Sequence, residues 1–148
     1  SIGPEDVEPF LWEIAKLGTT ELSAQEIERA TIWLSGWEQR TLAWFEEFDL
    51  LVTPTVCGPA PMLDSLNPTA HSAIELLEKM VPHMAFTEVW NATGQPAISL
   101  PLGWCDAESL PIGVQLIAGP ERDDLLLALS GRLLPSLDAL PRTAPIHA

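Results

Sequence analysis

His71 and Glu75 stand four residues apart, a spacing that sets an imidazole and a carboxylate on one side of a helix and can begin a metal site. No third ligand stands at a fitting spacing, so the pair reads as a solvated helix face, and no metal or other cofactor is expected. His83 follows Pro82 at a break in the helical pattern and reads as structural. Ser99 lacks the flanking glycines of a G-x-S-x-G nucleophile elbow and reads as a residue on one face of a strand. Cys57 opens a proline-rich loop with no basic neighbour in sequence to activate a thiolate, and reads as inert. Most of the six tryptophans recur at helical spacing and belong to a core; Trp104, in a polar stretch, is the exception. Asn91, Thr93 and Gln95 flank Gly94, where a helical pattern gives way to a strand pattern. Such a turn can aim polar groups into a pocket, and the plainer alternative is helix capping.

The elements that must hold these residues follow from apolar periodicity and its punctuation. Residues 5–17 predict a short helix with Leu11, Trp12, Ile14 and Ala15 on its apolar side, ended by Gly18. Ser23-Ala24-Gln25-Glu26 is a capping-box pattern, and the helix behind it runs to about Glu47. Ile27, Ala30, Leu34, Trp37, Thr41, Trp44, Phe45 and Phe48 recur at steps of three or four and predict one buried stripe, widened by Trp33. Asp49 to Pro54 reads as a short buried strand, and residues 57–68 as a proline-rich loop. Asn67-Pro68 predicts an N-cap with proline at the first helical position, opening a helix with Ala70, Ile74, Leu77 and Val81 on one face and a break at Pro82. A further helical stretch, roughly 84–92, groups Phe86, Val89 and Trp90 and is closed by Gly94. Ala97–Leu102 and Ile112–Ala118 predict two strands joined by a solvated loop; Pro101 implies an edge, a bulge or a strand end. Residues 122–134 predict a last helix, with Asp123 and Asp124 at its positive end and a stripe of Leu125, Ala128, Leu129 and Leu133. The tail, residues 135–148, is proline-rich and expected to be irregular.

A chain of 148 residues fits one domain, residues 1–148, with a hydrophobic fraction of 47% that suffices for a core. Seven lysines and arginines face 21 acidic residues. The resulting charge of −14 repels phosphate backbones and anionic headgroups, so neither nucleic acid nor a membrane surface is an expected partner. No apolar run reaches the roughly 18 residues of a membrane span, and the first ten residues lack the basic start of a signal peptide. Two cysteines, 48 residues apart by number (57 and 105), do not make a disulfide framework; a reducing, cytoplasmic setting is expected.

Three blocks in order carry a resemblance. Asp49-Leu50-Leu51-Val52-Thr53-Pro54-Thr55 is followed by Phe86-Thr87 with Asn91-Ala92-Thr93-Gly94-Gln95-Pro96-Ala97-Ile98-Ser99-Leu100-Pro101-Leu102-Gly103, and then by Leu110-Pro111-Ile112-Gly113-Val114-Gln115-Leu116. Together they resemble the C-terminal part of the amidase-signature family of hydrolases. Glu8-Pro9 with Trp12, and Pro141-Arg142, are most similar to the branch that contains aminohexanoate cyclic dimer hydrolases. The resemblance implies an α/β fold whose strands belong to a partial mixed sheet flanked by helices. It implies hydrolysis of a linear or cyclic amide by a serine nucleophile, with a second serine relaying a proton from a lysine and a Gly/Ser-rich stretch supplying the oxyanion hole. That chemistry needs those groups together, because a serine hydroxyl is inert without a base and the oxyanion needs preorganised donors.

This chain departs from the pattern there. Its nine glycines are nowhere adjacent, it has no Ser-Ser pair, and its lysines are Lys16 and Lys79, neither beside a Gly/Ser-rich segment. No residue inherits a catalytic role. The resemblance places the Asn91–Gln95 segment near the active-site cleft, which makes Asn91, Thr93 and Gln95 the substrate-pocket candidates. The chain is accordingly expected to be the C-terminal segment of an amide hydrolase for a small amide substrate, inactive alone. It is expected to self-associate or to join the missing N-terminal portion, as a truncation, a short reading frame or one chain of a split enzyme. The alternative is a stand-alone binding or assembly module that reuses the fold.

Overall fold

The structure, a computed structural model, describes residues 2–105, 107 and 110–137; Pro141-Arg142 and the tail beyond residue 137 lie outside the described residues. The α/β class holds. The elements are α1 (Pro9–Thr20), α2 (Ala24–Glu47), β1 (Leu50–Pro54), α3 (Ala73–Met84), α4 (Glu88–Thr93), β2 (Ala97–Cys105), β3 (Leu110–Ala118) and α5 (Asp123–Leu137). Contacts group the chain into two compact units, Ser1–Trp37 with Pro61–Pro82 and Glu38–Ala60 with His83–Ala148. Among the described residues no helix is long and apolar enough to cross a membrane.

The first unit holds α1, the start of α2 and most of α3. α1 begins at Pro9, whose fixed φ suits the first helical position, and it runs through Gly18 instead of stopping there. The Thr19 and Thr20 hydroxyls donate to the Lys16 carbonyl at 2.8 and 2.9 Å, and Glu21 N–H donates to the Leu17 carbonyl at 2.9 Å. These bonds close the last turn, so an isolated glycine is tolerated inside it. α2 opens on the expected capping box: Glu26 N–H donates to Ser23 Oγ at 3.3 Å, and Ser23 N–H to the Glu26 carboxylate at 2.8 Å.

α3 starts at Ala73, not after Asn67. Asn67 Oδ1 instead accepts from Thr69 N–H at 2.9 Å, an Asx turn within the loop. The cap is a second box, Ser72 with Glu75: Ser72 N–H donates to the carboxylate at 2.9 Å and Glu75 N–H to Ser72 Oγ at 3.4 Å. Pro82 is inside the helix, and the buried face is Ala73 and Leu76, leaving Ile74 and Val81 exposed.

Both capping carboxylates are held below the usual range. For Glu26 the main cause is the Ser23 hydroxyl, then its backbone N–H. For Glu75 it is the Ser72 N–H, then its hydroxyl, with help from the charges of His71 and Lys79. A carboxylate whose folded pKa is depressed contributes stability above its unfolded pKa and loses it as pH falls through the folded value. The double variant Glu26→Gln, Glu75→Gln should therefore show a shallower fall in unfolding midpoint across the acid carboxylate range than the parent chain. Parallel acid limbs in denaturant titrations would contradict the capping assignment.

The second unit is a three-stranded sheet in the order β1-β3-β2. Where a mixed sheet was expected, all pairing among the described residues is antiparallel: Leu50 to Pro54 of β1 face Ala118 to Val114 of β3, and β2 forms a hairpin with β3. Between β2 and β3 the short connection permits nothing else, since parallel neighbours need a long crossover. The strands also reach further than the apolar runs suggest. Gly103, Trp104 and Cys105 pair with Ile112, Pro111 and Leu110, so Trp104 is a half-buried strand residue and not part of a solvated loop. Pro101 sits as expected, on an edge strand at a register shift between Leu100 and Gly103.

One face of this sheet is the core. Leu100, Leu116 and Ala118 pack with Leu126 of α5, and Leu50, Ile98, Leu102, Val114, Leu125, Leu129 and Leu133 surround them. The α5 stripe differs from the expected one: Ala128 is exposed, while Leu126 and Ser130 are buried, the Ser130 hydroxyl donating to the Leu126 carbonyl at 2.7 Å. That bond satisfies a polar side chain on an apolar face. α5 also continues past 134 to Leu137, with Pro135 inside it, where the tail was expected to begin.

The α2 stripe is not buried. None of its residues falls in the buried class, and Ile27, Trp33, Leu34, Trp44 and Phe48 are exposed, Trp33 to 61%. In the second unit Phe45 meets Gly119 beyond β3 and Trp90 of α4, with ring centroids 6.3 Å apart, while Trp44 stacks on Phe48. β1, expected to be buried, is an edge strand with Val52 exposed. Helical or strand periodicity says which side of an element is apolar; it does not say that this chain holds the surface that covers it.

Candidate functional site

The face of the sheet opposite α5 has a different chemistry. Direct strand partners share a face, so Thr53, Gln115 and Ser99 lie side by side across β1, β3 and β2. Gln115 is buried; its Nε2 donates to the Phe86 carbonyl at 2.7 Å and to Thr53 Oγ1 at 3.2 Å. It ties the segment ahead of α4 to the middle strand. Just past the end of β1, Thr55 N–H donates to the Gly113 carbonyl at 2.9 Å, which brings the Thr55 side chain over Gly113. There Thr55 Oγ1 and Ser99 Oγ lie 2.6 Å apart, joining the two edge strands above the middle one. They meet only because residue 113 has no side chain: a Cβ there would stand 2.7 Å from Thr55 Oγ1 and 2.8 Å from Ser99 Oγ.

The turn that leads into β2 carries the three pocket candidates. Gly94 takes φ +75° and ψ 14°, the left-handed cap expected of it, and its N–H donates to the Trp90 carbonyl at 2.8 Å. Thr93 and Gln95 are buried and joined side chain to side chain, and Thr93 Oγ1 also reaches the Val89 carbonyl at 3.1 Å. A hydroxyl has one proton, so it cannot donate to both Val89 and the Gln95 amide oxygen. With the amide turned over, Gln95 Nε2 donates to Thr93 Oγ1 and the hydroxyl donates to Val89. That arrangement also gives a partner to Nε2, otherwise buried without one. Thr93 and Gln95 thus fasten the end of α4, and Asn91 projects from the helix as an exposed residue.

Two clefts lie elsewhere. One, of about 310 Å³, lies in the first unit between Glu13, Lys16, Leu17 and Thr20 of α1 and Ser72, Ala73 and Ile74. The other, about 350 Å³, lies in the second unit among Arg40, Thr41, Trp44, Leu51 and Trp90. Neither is lined by the three candidates. His71 precedes α3 and its Nε2 lies 3.0 Å from Lys79 Nζ, while Glu75 serves Ser72; among the described residues no group of three potential metal ligands forms. Cys57 is exposed. The hydroxyl and amide strip of Thr53, Thr55, Ser99 and Gln115 went unnoticed in the sequence as a set. Its signal is polar residues at alternate positions of apolar strands, with an isolated glycine that marks a close approach.

The Amidase family model matches residues 7–127, and the chain belongs to the amidase family, matching its C-terminal part. Among curated relatives, the 6-aminohexanoate-cyclic-dimer hydrolase of Pseudomonas sp. (strain NK87) is 32% identical over 144 residues, 93% of this chain and 29% of the relative. The enzyme of the same name from Paenarthrobacter ureafaciens is 31% identical over 144 residues, with the same coverage of 93% and 29%. A solved structure of 6-aminohexanoate cyclic dimer hydrolase superimposes with a TM-score of 0.74 at 32% identity, over 95% of this chain and 29% of that one. The chain thus spans less than a third of the length of these relatives.

Proposed function

We propose that this chain is the segment of an amide hydrolase that shapes the substrate cleft, and that it carries none of the groups that break the bond. The observation that carries this reading is the pairing of an amidase fold with a sequence that has no Ser-Ser pair and no lysine beside a Gly/Ser-rich stretch. The substrate is a small linear or cyclic amide, in keeping with the 6-aminohexanoate-cyclic-dimer hydrolases among the relatives. Asn91 projects toward that cleft, and Thr93 and Gln95 hold the turn that presents it. The compartment is the cytoplasm, from a sequence whose two cysteines do not make a disulfide framework. The test is turnover of simple amides and labelling by a serine-directed phosphonate, with the outcomes given at the end of the Discussion.

The same reading holds that the chain self-associates, or joins the N-terminal portion of the hydrolase. Support comes from exposed Trp33, Leu34, Phe48 and Val52, on elements whose apolar sides have no cover within their own unit. Burying ~400 Å² of such surface is worth about 10 kcal/mol at ~25 cal/mol per Å², against association costs of ~4–15 kcal/mol. The charge of −14 opposes this, but salt screens it beyond ~8–10 Å. Sedimentation equilibrium at micromolar concentration should show a dimer or larger species. A clean monomer of 16.1 kDa would contradict this and favour a stand-alone module.

A further inference from the structure

We infer that the Thr55–Ser99 hydroxyl pair is a docking point for the carbonyl oxygen of a neutral carboxamide. This rests on the reading above, that the chain shapes the substrate cleft, and takes the sheet face not covered by α5 as part of it. Two hydroxyls have two protons. At 2.6 Å one proton lies between Thr55 Oγ1 and Ser99 Oγ. Neither hydroxyl has another hydrogen-bond partner among the described residues, so the second proton remains to be donated. The oxygen that holds it already accepts a hydrogen bond or lends its own lone pair, and a hydroxyl inside such a chain is a stronger donor than an isolated one.

The pair is also held in place. Thr55 is β-branched and stiff at χ1, and its N–H is fixed to the Gly113 carbonyl at 2.9 Å. Ser99 sits in β2 directly opposite Gln115. Gly113 removes the side chain that would separate them. Ser99 is exposed and Thr55 half-buried, so the pair is within reach of an incoming acceptor. A donor held in this way suits a hydrogen-bond acceptor. Within a chain of charge −14 a neutral acceptor is favoured over a carboxylate. A carboxamide oxygen meets both conditions.

Hexanamide is the probe, with hexanoate as the charged counterpart. Titrating either into the ¹⁵N-labelled chain reads the backbone amides of Thr55, Ser99 and Gly113 directly. Hexanamide should shift these three saturably and hexanoate should bind more weakly. The double variant Thr55→Val, Ser99→Ala removes both protons and should weaken hexanamide by about three- to tenfold, the loss of one neutral hydrogen bond. Either single variant keeps one hydroxyl free to donate and should retain most of the affinity, although the bridge itself is gone, which a merely structural role of the bridge would not allow. If the double variant fails to keep the parent spectrum, the preference for hexanamide over hexanoate at the three amides of the parent chain decides it. Overturning results are no saturable shift at the three residues, hexanoate binding as tightly as hexanamide, or undiminished affinity in the double variant. Saturable shifts confined to other residues would remove the pair but leave the cleft reading standing. The cleft reading itself falls by phosphonate labelling of this chain.

Discussion

Replacing Gly113 with alanine is expected to destabilise the second unit by about 2–4 kcal/mol. A Cβ at this position would stand 2.7 Å from Thr55 Oγ1 and 2.8 Å from Ser99 Oγ, inside any real contact distance. Thr55 cannot swing its hydroxyl away without leaving its rotamer, so the hydroxyl bridge must break or the strands must separate. Overpacking of this kind costs about 1–3 kcal/mol, and the lost hydrogen bond adds about 1 kcal/mol. Gly119→Ala is the internal control. Its Cβ would meet Phe45 at 3.5 Å, an ordinary contact, so the cost should be within about 1 kcal/mol of zero or slightly favourable. In a Ser99→Ala background the cost of Gly113→Ala should shrink, because one of the two clashing oxygens is gone. Urea midpoints for the four variants decide it; equal midpoints for Gly113→Ala and Gly119→Ala would show that the bridge is not a constraint.

Leu126→Ala should cost about 2–5 kcal/mol, as large-to-small changes in a packed core do. Leu126 is 3% exposed and closes the cluster of Leu100, Leu116 and Ala118 beneath α5. Leu34→Ala, the same change on α2, should cost less than about 0.5 kcal/mol when the chain is dilute enough to be monomeric, since Leu34 is 43% exposed and little surface returns to water. Sequence periodicity alone gives Leu34, on the expected α2 stripe, more weight than Leu126, which lies off the expected α5 stripe. Comparable losses in denaturant unfolding would mean that α2 is buried in the chain as it exists in solution, for example against a second copy. Repeating the Leu34→Ala measurement at tenfold lower protein concentration separates that case, because an intermolecular contribution falls with dilution.

These two comparisons also mark what the sequence could and could not reveal. Punctuation was legible wherever one residue type has one physical use: the Ser23–Glu26 box, the left-handed Gly94 and the bulge at Pro101 are each local. The second box, Ser72 with Glu75, has the same spacing, but the Asn67-Pro68 signal ahead of it looked like a helix start and was a turn. Burial was the less legible part. The pattern on α2 is apolar at helical steps, yet what covers a stripe is a property of the partner surface, and none of the α2 residues is buried. On α5 the register slipped because Ser130 hides its hydroxyl against the Leu126 carbonyl, which no hydropathy pattern signals. At the candidate site, Asn91, Thr93 and Gln95 were visible as a polar turn. The Thr55–Ser99 bridge was not, because its partners are 44 residues apart and meet through a register that only the fold supplies.

The account stands most directly on one measurement: exposure of the purified chain to a fluorophosphonate, followed by intact mass, beside an assay of hexanamide turnover. Serine enzymes stripped of their nucleophile and base retain only binding and oxyanion stabilisation, and the sequence here lacks the oxyanion stretch as well. The expected result is an unmodified mass and turnover at the uncatalysed rate. Stoichiometric labelling of any of the nine serines, with amide hydrolysis that the label abolishes, would contradict the claim that this chain shapes a cleft without breaking the bond.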